Sequence, residues 1–241
     1  MKKQYWLIIL TYVIMQFSGI IGVGLLLSLG VGGNESAEVS RQVAASYWTI
    51  ISFSAALIIV LFLLRKEMNM RNHHQPAKTF IWSIFGVFLA LAAQSIAAMI
   101  EMKLFGIDPG SQNTKVIVDL VKLTPFLIIV TSVIGPILEE IIFRKIIFRT
   151  LTPRLGFFLS AIISAFIFGV VHLDFSHLLI YTAMGLVFAY LYAKTDQILV
   201  PIFAHVMMNT IVVLSQTIFA DRLEEMQKQA EQMQFIFGGF L

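Results

Sequence analysis

The chain has 241 residues, 58% of them hydrophobic and 13% charged, with a mean hydropathy of +0.86. Soluble domains carry about 45–50% apolar and about 25% charged residues, so this is the composition of a polytopic membrane protein. The net charge of +3 is scattered over short connections and forms no basic face, which argues against a nucleic-acid partner. With no cysteine, disulfides, thiolate zinc sites and cysteine nucleophiles are excluded, so catalysis must use carboxylate, imidazole, amide or hydroxyl groups.

About 20 mostly apolar residues cross a hydrocarbon core of about 30 Å. By that measure seven spans are expected, at 5–29, 45–64, 79–100, 125–151, 155–172, 178–193 and 198–219. The predicted fold is all-α, a transmembrane helical bundle with a polar cavity inside it. Lys2 and Lys3 before the first apolar run resemble a signal-peptide start. That run is longer than the 7–15 or so residues of a signal core, so it reads as an uncleaved span. In its middle, Ser18-x-x-x-Gly22 permits close helix contact.

His73 and His74 sit in a polar connection with Pro76 and read as solvated. Lys2, Lys3, Arg65, Lys66, Arg71, Lys78, Arg144, Lys145, Arg149, Arg154 and Lys194 fall on one side of the alternating connections. Arg41, Lys103, Lys115, Lys122, Arg222 and Lys228 fall on the other. The richer side is expected in the cytoplasm, which predicts a multi-pass protein of the cell membrane with its amino terminus cytoplasmic and, with seven spans, its carboxyl terminus outside. Residues 221–234, rich in Glu, Gln, Met and Lys, read as a surface helix or solvated tail. No linker divides the chain, so one membrane domain is expected over 1–241, with amino-terminal spans at 1–110, core spans at 125–219 and a polar tail at 220–241.

Within these spans lie Glu139, Glu140, Arg144, His172, His205 and Asn209. Ionisable groups at bilayer depth cost about 2.5–3.5 kcal/mol each and mark functional sites by default. Glu140 and Arg144 are four apart and share a helix face, so Arg144 neutralises Glu140. Glu139, turned about 100° away, is the unpaired carboxylate. Pro136 just before the pair loosens the helix ladder. Phe168 with His172, and His205 with Asn209, are again four-apart pairs. If the three spans pack side by side, a carboxylate, two imidazoles and a carboxamide converge. A carboxylate and an imidazole can deprotonate a shared water. A second imidazole and an amide can donate to the oxyanion formed when that water attacks a peptide carbonyl. Depths counted from span ends at 1.5 Å per residue disagree: about 20 Å for Glu139 and 25 Å for His172, against about 10 and 16 Å for His205 and Asn209.

The order Glu139-Glu140-x-x-x-Arg144, Phe168-x-x-x-His172, His205-x-x-x-Asn209 on successive spans resembles the three motifs of the CAAX-protease and bacteriocin-processing family of intramembrane endopeptidases (Abi/Rce1-like). The overall form, from the opening Met-Lys-Lys-Gln-Tyr-Trp on, is similar to its small bacterial members of Bacillus type. The resemblance implies a water-accessible cavity in which Glu139 and His172 activate water while His205 and Asn209 stabilise the oxyanion. Glu140, Arg144 and Phe168 take supporting roles. It also implies a membrane-associated peptide or protein as substrate. The family has been described as zinc-dependent too, and Glu139, His172 and His205 would then be the ligands, with one position open. The absence of an H-E-x-x-H helix favours the metal-free reading.

Blander readings stand beside this one. Glu140–Arg144 can be a structural staple, an intramembrane His or Asn can simply bond a neighbouring helix, and Phe168 can be packing. Asp174, beside His172, could orient an imidazole, although capping the turn into the next span is the more ordinary use. The rival functions are a proton-coupled transporter, for which no paired broken helices are visible, and a noncatalytic membrane scaffold.

Overall fold

The computed structural model describes residues 2–33, 35–68, 76–108 and 111–218. His73, His74 and the tail beyond Ile218, including the expected helix at 221–234, lie outside the described residues. The described residues are helical with no strand. In chain order the helices are α1 (Lys3–Ser28), α2 (Ala37–Met68), α3 (Pro76–Phe105), α4 (Gln112–Leu123), α5 (Leu127–Val171), α6 (Leu178–Thr195) and α7 (Leu199–Ile218). All but the 12-residue α4 are long and apolar enough to cross a membrane.

At 1.5 Å per residue the 45 residues of α5 would reach about 68 Å if straight, over twice the hydrocarbon thickness. Instead the chain reverses at Gly156, whose φ of 70° and ψ of 178° are not helical. The Ser164 hydroxyl donates to the Phe143 carbonyl at 2.7 Å, and nearer the turn Phe148 meets Phe157 edge-on at 5.9 Å. The two arms, 127–155 and 157–171, therefore run antiparallel, and they correspond to the fourth and fifth expected spans. Six candidate spans thus contain seven membrane-length or near-membrane-length segments.

The exposed surface is itself apolar. Ile20, Ile21, Phe88 and Phe158 are each at least two-thirds exposed. A soluble protein rarely exposes so much contiguous apolar area, whereas hydrocarbon is its natural solvent. The protein is a multi-pass membrane protein.

Because lipid gives apolar side chains no reason to hide, close helix packing relies on small residues. A Cβ on Gly22 would fall inside the Trp48 indole, and the Trp48 Nε1–H donates to Ser18 at 2.9 Å, so the Ser18/Gly22 notch seats α2 on α1. Gly86 brings α3 against Leu191 of α6 and Ala204 of α7, and Gly185 brings α6 onto Ala165 of α5. At the end of α2, Glu67 accepts from Lys2 at 2.6 Å, Gln4 at 2.5 Å and Tyr5 at 3.1 Å, and lies 3.6 Å from Lys145. This hydrogen bond to Glu67 raises the Lys2 ammonium above the usual lysine range. Arg144, counted above among the connection charges, is fully buried within α5 and drops out of the orientation argument.

Gly156 occupies a backbone region open essentially to glycine alone, yet a Cβ there would meet nothing within 4 Å. Gly156→Ala should therefore destabilise the fold by about 1–3 kcal/mol through backbone strain alone. Thermal unfolding in detergent checks this; an unchanged midpoint would show that the turn tolerates an L-residue.

Candidate active site

The first arm of α5 is irregular where its charges lie. Gly135–Glu140 is an α-helical turn between π-helical stretches Val130–Ile134 and Ile141–Phe148. Pro136 has no N–H for the carbonyl four residues back, which helps account for the first widened stretch. Wider turns of this kind recur at functional sites.

Glu140 and Arg144 are fully buried, with Nε 3.3 Å from Oε2. Arg144 Nη2 donates to the Gly185 carbonyl at 3.2 Å. Its guanidinium lies 4.5 Å from the Phe168 ring centre and 5.3 Å from that of Phe188, close enough for cation–π attraction. The other oxygen of Glu140 takes His205: Nδ1 to Oε1 is 2.9 Å. A carboxylate accepts, so His205 Nδ1 carries the hydrogen and Nε2 points away from Glu140. Phe188 stacks on that ring at 4.6 Å and 21°. His205 Nε2 then lies 3.7 Å from Glu139 Oε2. Glu139 keeps 17% of its side chain exposed, whereas Glu140 keeps none.

His172 caps the C-terminus of α5. Its Nδ1 is 2.7 Å from the Phe168 carbonyl, which can only accept, so Nδ1 is the protonated nitrogen and Nε2 offers a lone pair. The ring lies between Phe168, at 4.5 Å, and Tyr181, stacked at 4.1 Å and 25°. Phe168 also approaches the His205 ring at 5.8 Å, so it borders both imidazoles as well as covering Arg144. Asn209, one turn after His205, reaches Thr131 O at 3.5 Å, the outer limit of a hydrogen bond. A cavity of about 220 Å³ opens beside Asn209, lined also by Tyr181, Glu101 and His177. Glu139, His172 and His205 are not among the residues lining it.

The mismatch in depth between Glu139 and His205 closes once the level ends are known. Arg149 Nη1 lies 2.6 Å from Asp196 Oδ1, so the start of α7 is level with Arg149 and not with Leu151 or Leu155. Glu139 is then about 15 Å from that level, close to the depth of His205.

The zinc alternative needs Glu139, His172 and His205 to converge. Among the described residues no group of three His, Cys, Asp or Glu has that arrangement. Phe168 borders both imidazoles, and no three-ligand set is assembled among the described residues.

Asp174 does not cap the following turn: its carboxylate accepts from the Ser111 hydroxyl at 2.6 Å, and no side-chain cap forms. Several groups near the site escaped the sequence reading. Tyr181 and Asn113 both touch His172, and His177 Nδ1 meets Glu101 at 2.8 Å in a second buried carboxylate–imidazole pair. Glu101, ionisable at the end of an apolar run, was a usable signal; Tyr181 and Asn113 carried none.

Comparison with known proteins places this arrangement. The family described as type II CAAX prenyl endopeptidase, Rce1-like, matches residues 121–211, which contain every motif residue above. Over 99% of both chains, the sequence is 48% identical to YdiL of Bacillus subtilis, named as a membrane peptidase. The chain belongs to the Rce1-like CAAX-protease family. Membership makes it a peptidase of the membrane. It is also 27% identical over 99% of both chains to MroQ of Staphylococcus aureus, named as a membrane-embedded CAAX protease. A third relative is the UPF0177 protein YxdF of Lactococcus lactis, 26% identical over 64% of this chain and 87% of that one. No solved structure gives a significant match.

Removing one partner of a buried ion pair strands the other, at a cost of about 3–5 kcal/mol. Arg144→Ala should therefore lower the thermal midpoint sharply, while Glu139→Gln, outside the pair, should leave it unchanged. Equal midpoints for the two variants would show that the Glu140–Arg144 pair does not hold the bundle together.

Proposed function

We propose that this chain is an intramembrane endopeptidase that hydrolyses a peptide bond of a membrane-associated peptide or protein with a water activated by Glu139 and His172. The observation that carries the reading is the division of labour between adjacent carboxylates. Glu140 is taken up by Arg144 and His205, whereas Glu139 is partly exposed and 3.7 Å from His205 Nε2. His172 adds a free Nε2 lone pair because its Nδ1–H is spent on Phe168.

In this mechanism Glu139 takes a proton from water, with His172 orienting it as acceptor, and the oxygen attacks the carbonyl carbon. The tetrahedral oxyanion takes hydrogen bonds from His205 Nε2–H and the Asn209 amide. For His205 to donate, both ring nitrogens must be protonated, and Glu140 at 2.9 Å with Glu139 at 3.7 Å supply the balancing negative charge. As the C–N bond breaks, the proton on Glu139 passes to the leaving amine, which restores the carboxylate. The names of the relatives support peptide hydrolysis over the transporter and scaffold alternatives. The family description supports a lipid-anchored or membrane-bound substrate.

Glu139→Gln should reduce cleavage of a peptide library in detergent by about 10²-fold or more, the scale of a lost general base, and a strong zinc chelator should leave the wild type active. Cleavage by Glu139→Gln at the wild-type rate would contradict the assignment. Loss of activity with chelator, restored by zinc, would replace it with a metal-dependent route.

A further inference from the structure

His172 sits at a place where the backbone would not hold it unaided. It is the last residue before Leu173, whose φ of +56° lies in the left-handed region that a leucine rarely adopts. Such a conformation persists where the surroundings over-determine it. Here the surroundings come from outside α5. The Asn113 amide, from the first turn of α4, donates to the His172 carbonyl at 2.9 Å. Tyr181, from α6, lies flat on the imidazole at 4.1 Å, and its hydroxyl is 3.2 Å from Ser111. Ser111 in turn donates to Asp174, two residues past His172. The short helix α4 therefore has a role although it spans nothing, and Asn113 and Ser111 precede the 121–211 segment shared with the family.

We propose that Tyr181 and Asn113 are positioning residues for His172: the phenol ring fixes the plane of the imidazole and the amide fixes the helix end, together aiming Nε2 at the water. The inference rests on the role given to His172 above. Neither residue touches the reacting atoms. The Nδ1 bond to Phe168 selects the tautomer but leaves the ring free to rock about that bond; the flat contact with Tyr181 blocks that motion. A misplacement of about 1 Å at a reacting group can cost about 10²-fold in rate, so the loss should fall on kcat.

The test is steady-state cleavage in detergent of a quenched peptide chosen from the library for cleavage by the wild type. The variants are Tyr181→Leu, Tyr181→Phe, Asn113→Asp and Glu139→Gln. Tyr181→Leu should lower kcat by about 10–100-fold with KM nearly unchanged. Tyr181→Phe, which keeps the ring, should recover most of that loss. Asn113→Asp keeps the shape but loses the donor, and should lower kcat in the same way, which keeps the proposal testable if Tyr181→Leu does not fold. A Tyr181→Leu enzyme with wild-type kcat, a loss confined to KM, or a Tyr181→Phe variant as impaired as Tyr181→Leu would each overturn the positioning role. Full cleavage by Glu139→Gln would instead overturn the mechanism on which it rests.

Discussion

The site depends on one buried carboxylate. Glu140, without solvent exposure, lies between Arg144 at 3.3 Å and His205 at 2.9 Å, and each of those is held by something else. Taking charges out of water costs several kcal/mol per ion, which the interior returns only where geometry and further hydrogen bonds are good. Here the Gly185 carbonyl and the faces of Phe168 and Phe188 hold Arg144, and the His205 Nδ1–H holds Glu140. Among the described residues, Glu140 Oε2 and Arg144 Nε and Nη1 have no hydrogen-bond partner and rely on the ion pair itself. Because Gly185 is on α6, His205 on α7 and Phe168 on the second arm of α5, satisfying Glu140 brings all of these segments together. Glu139, next in the chain but on another face, stays outside the Glu140–Arg144 pair, partly exposed and 3.7 Å from His205 Nε2.

The surrounding fold makes that arrangement attainable. Glycines at 86 and 185 let helices approach where a side chain would collide, and the reversal at Gly156 returns the chain so that Phe168 reaches Phe143, with ring centres 5.2 Å apart. The π-helical stretches on both sides of Gly135–Glu140 alter the direction of the side chains there. In a regular helix they would follow the 3.6-residue repeat on which the sequence reading relied.

Much of this was legible from residue order. Runs of apolar residues marked the segments, the four-residue spacing of Glu140 and Arg144 foretold their ion pair, and the order of motifs pointed to the family. Depth was misjudged because span ends read from hydropathy are not level with one another; the Arg149–Asp196 pair shows which residues are. His205 bonding to Glu140, and not just facing Glu139, needed the relative rotation of two helices, which spacing within either does not contain. Asn113 and Tyr181 reach His172 from separate elements and have no motif. Asp174 looked like a cap because caps are local, yet its partner Ser111 is 63 residues away.

The claim that most needs testing is that Glu139 and His172 act on one water. Groups that act as a unit are non-additive when removed, whereas independent groups multiply. Cleavage rates of Glu139→Gln, His172→Gln and the double variant, measured on one peptide, decide between these. The account predicts that the double variant is about as slow as the slower single variant. A double variant whose loss is the product of the two single losses would contradict it.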